Sequence, residues 1–175
     1  MLHGTEVLPN EFPFMVAINE FKKTDWWSFN PRGSYCSAVL ISKRHVLTAA
    51  HCVLIDAGLH ETLCYQGYKR PEEYMEPEKL EVYIGTRCPK WGPCTPNRTV
   101  YEATSVIPYP GYEACGFGSE NDIAIVELSK DADENDGIPI CMPKENEQLA
   151  TTLLAVGYGQ DRKQIFTKSS IVVPY

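Results

Sequence analysis

Proline and glycine interrupt this sequence so often that long regular segments are excluded. Among 175 residues there are 13 prolines and 12 glycines, and they separate short apolar runs in which no helical repeat persists. Both residue types end helices and strands, and proline also removes an amide donor. The pattern favours an all-β domain with many turns. A hydrophobic content of 43% is enough for one good core.

Six strand-like segments precede residue 130, and six short strands can close a small barrel. They lie at 14–18, 34–42, 45–50, 80–85, 99–107 and 122–128. Residues 53–79 break this rhythm with glycines, prolines and clustered charges. We interpret residues 53–79 as a long surface insertion with one helical turn. The predicted first domain is therefore a β-barrel over residues 1–130.

The remaining residues predict a linker and the start of a second unit. Residues 131–150 begin with an acidic stretch and continue as an extended segment, which is typical of a connection. Two more strand-like runs, 153–159 and 165–174, fall within residues 151–175. Two strands do not make a barrel, so this second unit is expected to be incomplete. Its apolar edge is expected to pair with another chain.

Charge and apolar run length exclude two classes of partner. The 16 basic and 23 acidic residues give a formal net charge of −7, with no basic stripe. Nucleic acid is therefore not an expected partner. The longest apolar runs are too short to cross a bilayer, so a membrane partner is not expected either. No signal peptide is recognised in the sequence.

Cysteine content indicates an oxidising compartment. Seven cysteines are many for a chain of this size in a reducing cytosol. Asn97 begins an Asn-Arg-Thr triplet, which is an acceptor for N-glycosylation and points to the same extracellular location. Because the number is odd, at least one cysteine is free or pairs outside the chain.

Two neighbouring segments carry a family resemblance. The run Leu47-Thr48-Ala49-Ala50-His51-Cys52 resembles the histidine motif of trypsin- and chymotrypsin-like serine proteases, and residues 35–42 resemble the strand that precedes it. The resemblance implies that His51 is the general base and that Cys36 and Cys52 form a disulfide. A cross-link one residue away limits the freedom of a base that needs one orientation. The other interpretation of His51 is a solvent-facing or core histidine beside a structural cysteine. His3, His45 and His60 lie in no such motif, and we assign them no catalytic role.

A second motif supplies the acid. The run from Asn121 to Leu128 resembles the family's aspartate motif, in which a carboxylate at the mouth of a buried strand accepts the second N–H of the imidazole. Asp122 is thus the predicted orienting residue, although a turn-capping aspartate is the simpler alternative. The separation of 71 residues from His51 exceeds the family's common spacing, and the insertion at 53–79 accounts for the excess.

Later segments follow the family's order but do not supply a nucleophile. Residues 138–143 resemble the connection between the two barrels of the family, and 155–159 resemble the strand that opens the second one. The family's glycine-flanked serine motif has no counterpart in the chain. Ser169 and Ser170 fall in a strand-like run without flanking glycines that could expose a hydroxyl or supply oxyanion donors, so we do not substitute them.

The resemblance therefore implies the first six-stranded antiparallel barrel of a trypsin-like double barrel, followed by the first strands of an incomplete second one. The expected function is serine-type endopeptidase chemistry on a polypeptide substrate. Because the nucleophile is missing, the 175 residues are expected to be a fragment that is inactive alone. The alternative is a non-catalytic homologue that binds a protein partner. The encoded protein beyond position 175 distinguishes the two.

The N-terminus and Cys141 leave a further choice open. Residues 2–18 resemble a mature protease N-terminus, so either a pro-region is missing or the chain needs no cleavage. Cys141 favours the first, because its counterpart in many relatives pairs upstream of the cleavage point; otherwise it is free and buried.

No cofactor or metal site is predicted. The remaining cysteines lack the two-residue spacing of zinc knuckles, and Cys88 with Cys94 better suits a small disulfide loop. The pairing of Cys64 and Cys115 is left open.

Overall fold

The computed structural model describes residues 5–8, 10–20, 35–85, 99–115, 121–148, 150–158 and 170–174. These residues form nine strands and one α-helix, α1 (Ala57–Tyr65). The strands are β1 (Thr5–Glu6), β2 (Met15–Glu20), β3 (Tyr35–Leu40), β4 (His45–Thr48), β5 (Leu80–Ile84), β6 (Tyr101–Pro108), β7 (Ala124–Leu128), β8 (Leu154–Tyr158) and β9 (Ser170–Pro174). Short 3-10 helices span Ala50–Cys52 and Pro77–Lys79.

Strands β2 to β7 close into a six-stranded antiparallel barrel in the order β2-β3-β4-β7-β6-β5. Alternation of side chains explains how the strands share one interior. In β7, Ala124, Val126 and Leu128 are buried, whereas the two residues between them are partly exposed. The prediction of an all-β fold with a six-stranded antiparallel barrel is confirmed.

The barrel interior is the main hydrophobic core. It contains aliphatic side chains from all six strands and the rings of Tyr101 and Tyr112. The aliphatic members include Val16, Ile18, Leu40, Val46, Val82, Ile84, Val126 and Leu128. Each fully buried aliphatic side chain of this kind stabilises the fold by roughly 1.5–3 kcal/mol relative to an exposed one. The core thus fixes the ends of β4 and β7, from which the predicted site residues extend.

A second, three-stranded sheet lies outside the barrel. Its order is β1-β9-β8, with antiparallel pairing between neighbours. Tyr158 of β8 packs against Ala17 and Tyr83 on the outside of the barrel, and its backbone N–H donates to Ser37 Oγ at 2.8 Å. The two strand-like runs that the sequence predicts after residue 150 are therefore strands over the described residues 154–158 and 170–174.

The segment after β7 runs along the barrel and is fixed to it by hydrogen bonds. The hydroxyl of Tyr101 donates to Asp136 Oδ2 at 2.7 Å and accepts the backbone N–H of Asp133 at 2.9 Å. Farther along, the N–H of Ile140 donates to the carbonyl of Leu40 at 2.9 Å. Residues predicted to form a linker thus contact the barrel along their course.

The insertion at 53–79 differs from the prediction in two respects. Instead of one helical turn it contains α1, which has nine residues. It also does not lie wholly on the surface, because Val53 and Leu54 are 0% and 2% exposed and His60 is 1% exposed. The physical reason is that the insertion packs on the barrel: Val53 belongs to the barrel core, Tyr74 and Met75 pack against that core, and a disulfide joins Cys64 to Cys115.

Candidate active site

His51 lies in the short 3-10 helix that follows β4. The predicted strand at 45–50 ends earlier, at Thr48, and the chain turns through Ala50–Cys52. Ala50 is fully buried and points into the core, while the side chain of His51 is 55% exposed. The turn therefore fixes the backbone from the inside and leaves the imidazole accessible.

Asp122 lies two residues before β7. It follows Asn121, which has a φ of 61°, a left-handed conformation that asparagine tolerates better than most residues. The Asn121 side chain donates to the carbonyl of Gly111 at 3.0 Å, and the N–H of Tyr109 donates to the carbonyl of Ile123 at 2.8 Å. The turn at 109–112 thus supports the carboxylate-bearing segment.

Both carboxylate oxygens of Asp122 accept hydrogen bonds from His51. The backbone N–H of His51 donates to Oδ1 at 2.9 Å, and Nδ1 lies 2.7 Å from Oδ2. The side chain of Asp122 is 18% exposed, so water screens this pair only in part. A carboxylate at Nδ1 selects the tautomer with the proton on Nδ1 and leaves the lone pair on Nε2.

The disulfide Cys36–Cys52 lies beside the imidazole. It joins β3 to the residue after His51, with a Cα–Cα distance of 5.9 Å. Nε2 of His51 is 3.5 Å from Cys52 Sγ. A disulfide sulfur has no proton to donate, so this contact does not occupy the Nε2 lone pair. The arrangement presents a proton acceptor of fixed orientation to the solvent.

The same cluster does not suit a metal. Ligand atoms of Cys36, His51 and Cys52 lie within 4.8 Å of one another. Zinc and similar ions bind cysteine as the thiolate, and the bond between the two sulfurs removes both thiolates. The imidazole alone does not make a metal site.

Two tyrosines whose pKa values are raised lie near Asp122. Burial, followed by the charges of Asp122 and Glu72, raises the pKa of Tyr112 to about 12. Burial, followed by the charge of Glu72, raises the pKa of Tyr74 to about 12. Both rings pack at the barrel core, with Tyr112 only 7% exposed. Asp122 is therefore backed by aromatic side chains that stay neutral at physiological pH.

A mainly apolar groove of about 280 Å³ also reaches Asp122. It lies between the barrel and β8, and its lining includes Met15, Val39, Leu47, Ile123 and Val156.

Comparison with known proteins places this geometry in a family. The sequence model of the Trypsin family matches residues 1–173. The chain belongs to the trypsin family. Phenoloxidase-activating factor 3 of Holotrichia diomphalia is 27% identical over 99% of this chain and 47% of its own length. Serine protease SSP1 of Scolopendra subspinipes is 29% identical over 91% of the chain and 47% of its own length.

A third relative and one solved structure are also similar to the chain. Melanization protease 1 of Drosophila melanogaster is 29% identical over 90% of the chain and 38% of its own length. The solved structure of GrC superposes with a TM-score of 0.69 at 20% identity, covering 99% of this chain and 64% of that one, which shows a shared fold. The chain thus spans about half or less of the curated relatives named here.

The remaining predicted residues of this trypsin-family chain fall into two groups. His45 is exposed and 2.7 Å from Ser42 Oγ through Nδ1, His60 is buried, and Cys141 is free and exposed rather than buried. Other predictions lie outside the described residues: those for His3, Cys88, Cys94, Asn97 and Ser169. Strand β9 begins at Ser170.

Three features near the site had no signal in the sequence. They are Glu72, Tyr112 and the pairing of Cys64 with Cys115. Glu72 reaches Ala114 across 42 positions and the two cysteines pair across 51, while Tyr112 becomes buried only through the barrel core. No described helix is long and apolar enough to cross a membrane.

Proposed function

We propose that this chain carries the general base and its orienting acid of an extracellular serine-type endopeptidase. The observation that supports the proposal is the double hydrogen bond between Asp122 and His51, at 2.9 Å and 2.7 Å. Members of the trypsin family act on protein substrates, so a polypeptide is the proposed substrate. The boundaries 1–130, 131–150 and 151–175 are our proposed division into barrel, linker and second unit.

In this mechanism, His51 Nε2 takes the proton of an attacking serine hydroxyl and later gives it to the leaving amine. The Asp122 carboxylate accepts the hydrogen bond of the Nδ1 proton throughout. It stabilises the imidazolium that exists after His51 takes the serine proton and before His51 gives that proton to the leaving amine. Both steps need the geometry at one imidazole, which the Cys36–Cys52 cross-link restricts. The hydroxyl and the oxyanion donors are proposed to come from sequence beyond position 175.

The test begins with the complete transcript. We expect it to encode a glycine-flanked serine beyond position 175 and the encoded protein to hydrolyse peptide amides. Asp122→Asn is expected to lower kcat about 10⁴-fold, because the amide no longer accepts the Nδ1 proton and permits the wrong tautomer. The matched control is Asp56→Asn, a substitution in the insertion at an exposed carboxylate.

A different result would support the runner-up function. A stop codon directly after position 175, together with no hydrolysis by the purified protein, would contradict the enzymatic proposal. It would favour a secreted, non-catalytic homologue that binds a protein partner. Equal kcat values for the wild type and Asp122→Asn would also contradict the proposed mechanism.

A further inference from the structure

The insertion is joined at three points to residues 113–115, which directly follow the turn at 109–112 that supports Asp122. The disulfide Cys64–Cys115 links α1 to the end of the 109–115 segment. Glu72 Oε1 accepts the backbone N–H of Ala114 at 2.7 Å, and Lys69 Nζ lies 3.6 Å from Glu113 Oε2. We call these three contacts the insertion junction. Since the lysine and glutamate side chains are mostly exposed, the first two contacts dominate the junction.

The supported turn contacts both sides of Asp122 along the chain. Asn121, directly before it, donates to Gly111, and Ile123, directly after it, accepts from Tyr109. The turn is closed by a hydrogen bond from the Tyr112 N–H to the Tyr109 carbonyl at 3.0 Å. Gly111 lies so close to its neighbours that an added Cβ would be 3.1 Å from the Tyr109 ring and 3.3 Å from Asn121 Nδ2. A displacement of 109–115 is therefore transmitted to the backbone on either side of the carboxylate.

The charges of Glu72 and Asp122 both act on Tyr112. It belongs to the barrel core, and both carboxylates act on its hydroxyl electrostatically. Glu72 is also the acceptor for the Tyr74 hydroxyl at 3.4 Å. The Glu72 carboxylate thus accepts from Tyr74, another residue of the insertion, and from Ala114 of the 109–115 segment.

We infer that Glu72, with the Cys64–Cys115 disulfide, is a positioning residue that holds Asp122 in register with His51. This inference rests on the proposed function, because it concerns the pair to which that proposal assigns catalysis. Glu72 does not contact the reacting atoms; it acts through the 109–115 segment. Its hydrogen bond to Ala114, rather than its charge, is the part that matters.

The experiment uses the 175-residue chain, ¹⁵N-labelled, at a concentration where sedimentation shows a monomer. Water exchange of the His51 Nδ1 proton and of the His51 backbone amide is measured by NMR. In Glu72→Ala both rates are expected to rise about tenfold or more, the factor that corresponds to losing a hydrogen bond to a charged acceptor. Cys64→Ala/Cys115→Ala is expected to raise both rates as well.

Two variants separate positioning from charge and from general loosening. Glu72→Gln keeps an oxygen acceptor for Ala114 and is expected to restore exchange to within about twofold of wild type. Glu73→Ala removes the neighbouring exposed carboxylate, which pairs with Arg70, and is expected to change nothing at His51. The amide of Val126 in the core reports global stability, and its exchange gives the general loosening of each variant, including the stability that loss of the disulfide removes. In Glu72→Ala and Cys64→Ala/Cys115→Ala, exchange at His51 is expected to rise by a larger factor than exchange at Val126.

The outcomes distinguish the two proposals. If the wild type shows no Nδ1 proton bonded to Asp122, the proposed function loses its supporting geometry. If that proton is present but Glu72→Ala leaves its exchange unchanged, only the positioning role is overturned. Equal effects of Glu72→Gln and Glu72→Ala would overturn the hydrogen-bond assignment, and parallel rises at His51 and Val126 would show that the junction stabilises the fold without positioning the pair.

Discussion

Asp122 directs both of its oxygens to one residue, and this is how a short helical turn can hold an imidazole in one orientation. An aspartate that bonded only the ring would leave the backbone at His51 free to rotate the side chain away. The bond from the His51 backbone N–H to Oδ1 prevents this, because ring and backbone then move together with the carboxylate. Burial of Tyr112 and, after it, the charge of this carboxylate raise the pKa of the tyrosine to about 12, so Tyr112 reports on the surroundings of Asp122.

The raised pKa of Tyr112 predicts a loss of stability in alkali. Its pKa is about 12 in the folded chain, against 10.0 ordinarily, so between these values the unfolded state releases a proton that the folded state keeps. The free energy of unfolding is therefore expected to fall as pH rises from about 10 to 12, and to be unaffected by this group below that window. Urea denaturation at several pH values measures the slope.

Tyr112→Phe is expected to make that slope shallower, and Tyr74→Phe/Tyr112→Phe shallower still, because the pKa of Tyr74 is raised to about 12 as well. Parallel curves for the wild type and the double variant would contradict the assignment.

At the scale of the element, regular strands were predictable and the insertion was not. The six barrel strands appear in the sequence as short apolar runs with turn residues between them, and each is found within a few residues of its expected bounds. The pairing of His51 with Asp122 was expected only because two motifs resemble those of a family. The geometry that joins them is a tertiary contact across 71 positions, which no local pattern specifies.

The insertion was harder for a physical reason. Helix α1 has no charged residue favourable to its first turn, no side-chain cap at Asp56 and a weak apolar stripe, so its sequence lacks the usual signals of a helix start. Contacts outside the segment hold it instead: the disulfide from Cys64 and the burial of His60. Sequence patterns report only local preference, whereas the formation of helix α1 depends on these tertiary contacts.

His60 gives a test of how the insertion is stabilised. Its ring is 1% exposed, and neither nitrogen has a hydrogen-bond partner among the described residues. Burying an unbonded polar group is costly, so His60→Leu is expected to raise the free energy of unfolding by about 1–3 kcal/mol. Leucine also has the higher helix propensity. Chemical denaturation measures the change.

The control is His45→Leu, at the exposed first residue of β4, where losing the solvent-exposed contact with Ser42 Oγ is expected to lower the free energy of unfolding by no more than about 1 kcal/mol. A destabilised His60→Leu variant would mean that the ring is hydrogen-bonded in solution.

At the scale of the whole molecule, the barrel and the outer sheet differ in how well they are closed. The barrel pairs every strand on both sides, whereas β8 pairs within its sheet only with β9 among the described residues. Four exposed large apolar side chains lie between residue 138 and the first residue of β8: Ile138, Met142, Leu153 and Leu154 are 57%, 58%, 44% and 59% exposed. Apolar side chains next to an open strand edge favour pairing with another chain.

The 175-residue chain is therefore expected to associate reversibly, with a sedimentation coefficient that rises with concentration. Leu154→Lys places a charge on the β8 edge and is expected to weaken association about tenfold, since it removes the burial of one leucine, which is worth about 1.5–3 kcal/mol. Tyr65→Lys, at an 85% exposed position of α1, is the matched control and should leave association unchanged, because α1 lies on the insertion. The prediction is wrong if the wild-type chain remains a monodisperse monomer at every concentration and melts in one cooperative transition. The open edge of the outer sheet would then need no partner chain.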